Sequence, residues 1–162
     1  MRDTQFRKLS NLIALLLLVL LVALPQARAA TGATTTPPDK PYLQRIWSGW
    51  ETLDASHQTQ FYAQGPHVFF DEAPLKYDSW SQFETGVAKI LTSIKRATFT
   101  VNNDAQIHRA GNNVVWATAT IAQNALLKDG SRDNATLRWT VVFEKQNGRW
   151  LIVHEHVSRP TP

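Results

Sequence analysis

The sequence predicts an α+β fold in which helices come first and a run of antiparallel strands follows. Apolar residues recur at helical spacing between residues 42 and 94, and short runs rich in β-branched and aromatic residues follow Ala97. Asn147-Gly148 separates two such runs, which is the strongest short-range signal for a β-hairpin. Helices followed by consecutive strands indicate that the helices pack on one face of the sheet.

The first 29 residues have the pattern of a secretory signal peptide. Arg2, Arg7 and Lys8 precede an uncharged apolar run at residues 12–24, and Ala27-Arg28-Ala29 follows as a cleavage site. The alternative is an uncleaved anchor, but these 13 residues are fewer than the ~20 that a spanning helix needs. We therefore expect cleavage after Ala29, export to the periplasm or the medium, and no stable membrane insertion afterwards.

Removal of the signal peptide changes the charge of the chain. The sequence carries 17 basic and 13 acidic residues. Four of the basic residues and one of the acidic residues lie in the first 29 positions. The expected mature chain is therefore almost neutral, and it has no cluster of basic residues. This composition argues against nucleic-acid binding.

The mature chain is long enough for one domain. We expect a flexible linker at residues 30–41, where TTTPP occurs, and a single domain at residues 42–160. Because the chain has no cysteine, the domain must be stabilised by core packing or by oligomerisation.

Three helices are predicted. The first runs from Tyr42 to about Leu53, and a short second one is capped by Asp54 or Ser56 and reaches Tyr62. The third begins at Ser79, with an apolar stripe formed by Phe83, Val87, Ile90, Leu91 and Ile94.

The remaining elements are strands. They are expected at His67–Phe70, Thr98–Val101, Gln106–Arg109, Val114–Gln123 and on either side of Asn147-Gly148. Asp71-Glu72-Ala73-Pro74 ends the first of them.

The register of the last hairpin determines which side chains face the helices. A two-residue loop would pair Phe143 with Ile152 and Val141 with His154, whereas a three-residue loop with left-handed Gly148 would pair Phe143 with Leu151. The three-residue loop would also pair Val141 with Val153 and Trp139 with Glu155. It gathers the apolar residues on one face, and a slip of one residue inverts every side chain, so we favour this register. Glu155 is then the only carboxylate on an apolar face.

The order of elements resembles the cone-shaped nuclear transport factor 2-like (NTF2-like, or ketosteroid isomerase-like) superfamily, and most of all its SnoaL-like branch. The resemblance spans residues 42–160 and rests on Trp47-x-x-Trp50, FFDEAPLKYDSW at residues 69–80, Val115-Trp116-Ala117-Thr118 and Gly148-x-Trp150 followed by His154-x-His156-x-Ser158. It implies helices over the concave face of a curved antiparallel sheet, a pocket at the wide end and dimerisation through the convex face. The tyrosine and paired aspartates of ketosteroid isomerase have no counterparts at the expected places.

Two carboxylates are candidates for acid–base chemistry. Burial of Glu155 on an apolar face would raise its pKa towards the range in which it can shuttle protons, unless it pairs with a buried arginine. Asp71 would lie at the pocket rim, although a turn aspartate capping its own backbone is an equal alternative. The expected ligand-binding residues are Tyr77 and Trp80 at the rim and Trp50, Trp139, Val141 and Val153 in the wall.

His154 and His156 could be two ligands of a metal ion, but the sequence nominates no third. We expect these histidines to lie with Arg138 and Thr140 on the convex face, in a homodimer interface, and we expect no metal. The sequence has no P-loop, no G-x-S-x-G and no glycine-rich nucleotide motif, so no cofactor is expected.

Two functions fit these observations. The first is an exported domain that binds a small apolar molecule in the cone, with weak acid–base chemistry of the isomerase, cyclase or dehydratase type. The second is a non-catalytic assembly module whose cone is filled by its own side chains. An open pocket with convergent acidic groups favours the first, and a collapsed cone with a salt-bridged Glu155 favours the second.

Overall fold

A computed structural model describes residues 36–161. The expected signal peptide, its cleavage site and the first part of the expected linker lie outside these residues. The described elements are helix α1 (Lys40–Trp50), a 3-10 helix (Ala55–Gln58), strand β1 (Phe69–Phe70), helix α2 (Trp80–Leu91) and strands β2 (Ile94–Val101), β3 (Gln106–Ala110), β4 (Val114–Leu127), β5 (Arg132–Gln146) and β6 (Arg149–Ser158).

Side-chain caps set the start of each helix. Asp39 accepts a 2.8 Å hydrogen bond from the Tyr42 amide, so α1 begins at Lys40, two residues before the predicted start. Asp54 caps the 3-10 helix through Ser56, as expected, but this helix ends at Gln58 and not at Tyr62. Ser79, the predicted start of the third helix, is the residue that caps α2, which begins at Trp80. Ile94 does not extend the stripe of α2, because it begins β2.

The sheet is curved and mixed, and its strand order is β1-β6-β5-β4-β2. The first half of β4 pairs with β3 and its second half with β2. All of these pairs are antiparallel except β1, which runs parallel to β6. The predicted α+β class and helix placement are confirmed, while β1 makes the sheet mixed where an entirely antiparallel one was expected.

The predicted three-residue hairpin loop is wrong. Gln146 pairs with Arg149, and both Asn147 and Gly148 have positive φ angles, 51° and 80°, as a two-residue type I′ turn requires. Phe143 therefore pairs with Ile152 and not with Leu151.

Neither of the two registers holds along the whole hairpin, because β6 contains a β-bulge. The ladder passes from Phe143↔Ile152 to Val142↔His154, so Val153 is an extra residue. Val141 consequently pairs with Glu155 and Trp139 with Val157. Glu155 does lie on the inner face, but a bulge brings it there and the turn does not.

The core lies between the helices and the inner face of the sheet. It is rich in aromatic side chains, and the largest fully buried ones include Trp80, Trp139, Tyr42, Tyr62, Phe69 and Phe143. Within residues 36–161, no helix is both long and apolar enough to cross a membrane.

Candidate acid–base site in the cone

A cavity of about 200 Å³ lies between the helices and the inner face of the sheet. Four aromatic side chains contribute to its wall: Trp47 and Trp50 from α1, Phe83 from α2 and Phe99 from β2. Aliphatic residues of α2, β2, β5 and β6, together with Ala73, complete the apolar part of the lining. The charged residues in the lining are Asp71, Glu72, Asp133, Glu155 and Arg159.

Glu155 is the most deeply buried of these charged groups, with 3% of its surface exposed. Tyr62 Oη donates a 2.7 Å hydrogen bond to Oε1, and Trp139 Nε1 donates a 2.8 Å hydrogen bond to Oε2. Both donors are neutral, and no salt bridge to Glu155 is found among the described residues. A carboxylate offers about four acceptor positions, so two remain for a ligand.

Burial raises the pKa of Glu155 to about 7. The hydrogen bonds from Tyr62 and Trp139 oppose this rise, because they favour the charged form, and the negative charge of Asp71 adds to it. At neutral pH the group therefore populates both protonation states, which suits a proton donor or acceptor.

Asp71 is the second carboxylate whose pKa is raised. It follows β1, which pairs with β6 so that Phe69 lies beside Glu155. Its Oδ1 accepts a 2.8 Å hydrogen bond from the Glu72 amide, as in the turn arrangement considered from the sequence. Burial nevertheless raises the pKa of Asp71 to about 6, and this residue also lines the cavity.

Tyr62 is a site residue that the sequence reasoning did not nominate. It is buried, and its ring stacks on Trp80 with 4.3 Å between the centroids. Burial, followed by the negative charge of Glu155, raises the pKa of the Tyr62 phenol well above its ordinary value. The phenol therefore stays protonated and acts as a fixed donor. The bridge between Tyr62 and Ile152 places it against β6, and no local sequence pattern indicates this pairing.

Arg159 crosses the rim of the cavity and was also not anticipated. Its Nη1 and Nη2 atoms each donate a 2.7 Å hydrogen bond to a carboxylate oxygen of Asp133, and its Nε atom donates to Glu72. The paired guanidinium lowers the pKa of Asp133. Gln123 donates a further 3.0 Å hydrogen bond to Asp133. Through Arg159, the segment after β6 is thus bound to β5 and to the segment after β1.

The expected ligand-binding residues differ in their position relative to the cavity. Trp50 lines the cavity together with Glu155 and Asp71. Trp139 and Trp80 are buried but are not part of the cavity lining; Trp139 donates a hydrogen bond to Glu155, and Trp80 stacks on Tyr62.

The other three expected ligand-binding residues are also absent from the cavity lining, so Trp50 is the one of the six that lines it. Val141 is fully buried in the sheet. Val153 is the half-buried bulge residue, so its expected pairing with Val141 is wrong. Tyr77 packs beneath α2 and lines a separate open groove with Lys76 and Lys89.

The two histidines of β6 lie on the outer face. His154 pairs with Val142 and His156 with Thr140, and the ring of Phe70 contacts both imidazoles with centroid distances of 5.6 Å. His154 Nδ1 lies 2.7 Å from the Val68 carbonyl oxygen. No group of three potential metal ligands occurs between residues 36 and 161.

Residues 43–162 match the family model of the SnoaL-like domain. No curated protein sequence matches the chain.

Solved structures with the same fold have low sequence identity to this chain. An NTF2-like superfamily protein from Salmonella enterica serovar Typhimurium is 22% identical, with a TM-score of 0.67, over 76% of this chain and 92% of its own. An NTF2-like protein from Streptomyces avermitilis with a provisional dehydratase name is 13% identical, with a TM-score of 0.64, over 76% and 95%. The association domain of C. elegans CaMKII is 16% identical, with a TM-score of 0.59, over 73% and 90%.

Proposed function

The chain belongs to the family of SnoaL-like domains, and we propose that it binds a small, largely apolar molecule in the cavity and exchanges a proton with it through Glu155. One observation carries this proposal: a buried carboxylate with a pKa of about 7 lines a cavity with aromatic walls, and its hydrogen-bond donors among residues 36–161 are the neutral groups of Tyr62 and Trp139.

The size of the cavity limits the ligand. An apolar cavity of about 150 Å³ accommodates one benzene molecule. At about 200 Å³, the cavity suits a single ring with a short substituent, or an aliphatic body of similar size. Larger molecules would have to extend past Arg159 into solvent.

Glu155 supplies the acid–base function in this proposal. Its ionised form can remove a proton from a carbon next to a carbonyl group, and its protonated form can protonate a departing hydroxyl group. Asp71 is the second group, which can accept the proton or orient the ligand. Isomerase, cyclase and dehydratase reactions all consist of such steps, and the dehydratase name of the Streptomyces relative belongs to this class.

The geometry argues against the assembly-only alternative. A filled cone and a salt-bridged Glu155 would have favoured it, whereas the cavity is open and Arg159 pairs with Asp133 and Glu72 instead. A homodimer through the convex face is compatible with ligand binding. The CaMKII association domain, whose name denotes assembly, supports this part of the proposal.

The proposal includes export. It is supported by the basic start, the apolar run and the Ala27-Arg28-Ala29 sequence.

Native mass spectrometry of protein purified from its own host tests ligand binding directly. We expect a retained mass of small-molecule size in the wild type. In a turnover assay with the retained molecule, Glu155→Gln should transform it at least about a hundredfold more slowly, the usual contribution of a general acid–base group. A protein that retains and binds no small molecule would contradict the proposal.

A further inference from the structure

The charged residues around the cavity are strongly unequal in sign. Four carboxylates, those of Asp71, Glu72, Asp133 and Glu155, line it, and one cation, Arg159, does so. The Arg159 guanidinium is already engaged, because it donates two hydrogen bonds to Asp133 and one to Glu72. Asp71 and Glu155 therefore have no cationic hydrogen-bond partner within the part of the chain that the structure describes.

These two carboxylates retain free acceptor positions. Oδ1 of Asp71 accepts from the Glu72 amide, and each oxygen of Glu155 accepts from one neutral donor. Glu155 is only 3% exposed, so water has little access to it. An ionised carboxylate in such a position is unfavourable unless a positive charge pairs with it.

The apolar wall is suited to the same kind of ligand. Trp47 and Phe99 lie 5.2 Å apart between ring centroids, and Trp50 and Phe83 lie 6.1 Å apart. All four rings line the cavity. Aromatic faces attract cations through the ring quadrupole, and aromatic groups of this kind recognise organic ammonium ions.

We propose that the molecule bound in the cavity is an organic ammonium ion, whose apolar body contacts the four aromatic rings and whose positive charge is held by Asp71 and Glu155. This inference rests on the ligand-binding part of the proposed function and names the chemical class of the ligand. It does not depend on catalysis. An anionic ligand of the same shape would be repelled by the same carboxylates.

Three probes of one shape test the inference: benzylamine, benzyl alcohol and benzoate. Cyclohexyl and naphthylmethyl analogues of each extend the range of sizes. Binding to the full mature protein is measured by titration calorimetry at pH 8. We expect the amines to bind about tenfold more tightly than the alcohols, the usual contribution of a hydrogen bond to a charged group, and benzoate to bind more weakly than either.

The preference for the amine should depend on pH. Glu155 is faced by Tyr62, Trp139 and Asp71. Asp71 is faced by Glu72, Arg159 and the phenols of Tyr62 and Tyr77, which respond to pH alike. The phenols and the guanidinium keep their protons between pH 5 and 8, as does an aliphatic ammonium ion. Among the groups that face the two carboxyls, and including these carboxyls themselves, Glu155 and Asp71, with pKa values of about 7 and about 6, are the ones that change charge in this interval, so the preference should fall about tenfold at pH 5.

A matched pair of variants locates the charge that the amine recognises. Asp71→Asn removes a cavity carboxylate and should reduce the amine preference by several-fold. Asp78→Asn is the control, because Asp78 is exposed, pairs with Lys76 and is not in the cavity lining. This variant should behave as the wild type does.

The outcomes are distinguishable. Alcohols that bind as tightly as amines would overturn the ammonium inference and leave the proposed function intact. An amine preference that is equal in Asp71→Asn and Asp78→Asn and independent of pH would also overturn it. Failure of every probe to bind would contradict both the inference and the proposed function.

Discussion

Tyr62 Oη donates a 2.7 Å hydrogen bond to Oε1 of Glu155, which lies 93 positions away in the chain. Trp139 binds the other carboxylate oxygen, so two rigid aromatic donors fix the plane of the carboxyl group. Neither donor carries charge, and the pKa of Glu155 remains raised in spite of them. The structure therefore orients this group without holding it permanently ionised.

Tyr62→Phe should raise the pKa of Glu155 above its value of about 7, because the lost hydrogen bond favours the charged form. The pH dependence of ligand binding should shift upward with it. Carboxyl titration by infrared difference spectroscopy, with Glu155→Gln as the blank, measures this change. Tyr42→Phe is a control, since the Tyr42 hydroxyl donates to the Trp150 carbonyl oxygen. Equal titration curves in both variants would contradict the expectation.

Glu155→Gln should make the folded protein more stable at high pH. The folded-state pKa of about 7 lies above the ordinary value of 4.5, so wild-type stability falls as pH rises through this interval. At 1.36 kcal/mol per pKa unit, the variant should gain roughly 3 kcal/mol over wild type between pH 4 and 8. Urea unfolding at several pH values measures the difference. Asp71 titrates in both proteins, so its contribution largely cancels in the difference between their unfolding free energies. If that difference did not change with pH, the raised pKa of Glu155 would be refuted.

Gly86→Ala should destabilise the protein by about 1–2 kcal/mol, although alanine normally favours a helix interior by about 1 kcal/mol. A Cβ atom at Gly86 would overlap the phenol ring of Tyr77, which packs beneath α2 and donates to the Ala73 carbonyl oxygen. Urea unfolding measures the effect. In a Tyr77→Leu background the same substitution should become neutral or stabilising. Additive effects of the two substitutions would show that this contact is unimportant.

His156→Glu should weaken the proposed homodimer. His156 is exposed on the outer face opposite Thr140 and beside Phe70, so a symmetric interface there would bury the new negative charge. Sedimentation velocity over a concentration series measures the dissociation constant, which we expect to rise at least about tenfold. His57→Glu is the control, because His57 is exposed in the 3-10 helix. A monomeric wild type, or equal dissociation constants of both variants, would contradict the proposed interface.

The mature protein should begin at Ala30. The signal sequence predicts cleavage after Ala29. N-terminal sequencing of protein from the host envelope or medium checks the position. An intact Met1 on membrane-bound protein would show an anchored domain instead.

The helices could be predicted from the sequence because their signals are local. Asp54 caps the 3-10 helix, as one of the two expected caps, and Ser79 lies where the third helix was expected to begin. The buried residues of α1 recur at the spacing that the sequence displays. The SnoaL-like resemblance also correctly implied the cone and the position of its helices.

The site was less predictable because it depends on contacts between distant residues. Glu155 was nominated correctly for the inner face, but by a register that does not occur, since the position of a bulge leaves no clear mark in the sequence. Tyr62 meets Glu155 only through the bridge to Ile152. Arg159 follows the last residue of β6 and pairs with Asp133 of β5, and no local pattern links these two residues.

The extra residue Val153 determines which ionisable side chains of β6 face the interior. His154, Glu155 and His156 alternate in side-chain direction along β6. In an unbroken ladder continuing from Phe143↔Ile152, Val141 would face His154, and two imidazoles would occupy the interior while the carboxyl pointed outward. The bulge residue Val153 thus determines whether the carboxyl of Glu155 or the imidazoles of His154 and His156 face the interior. In a relative with the same H-E-H sequence and a regular strand, the two histidines would face the cavity, and imidazole would replace carboxyl as the acid–base group there.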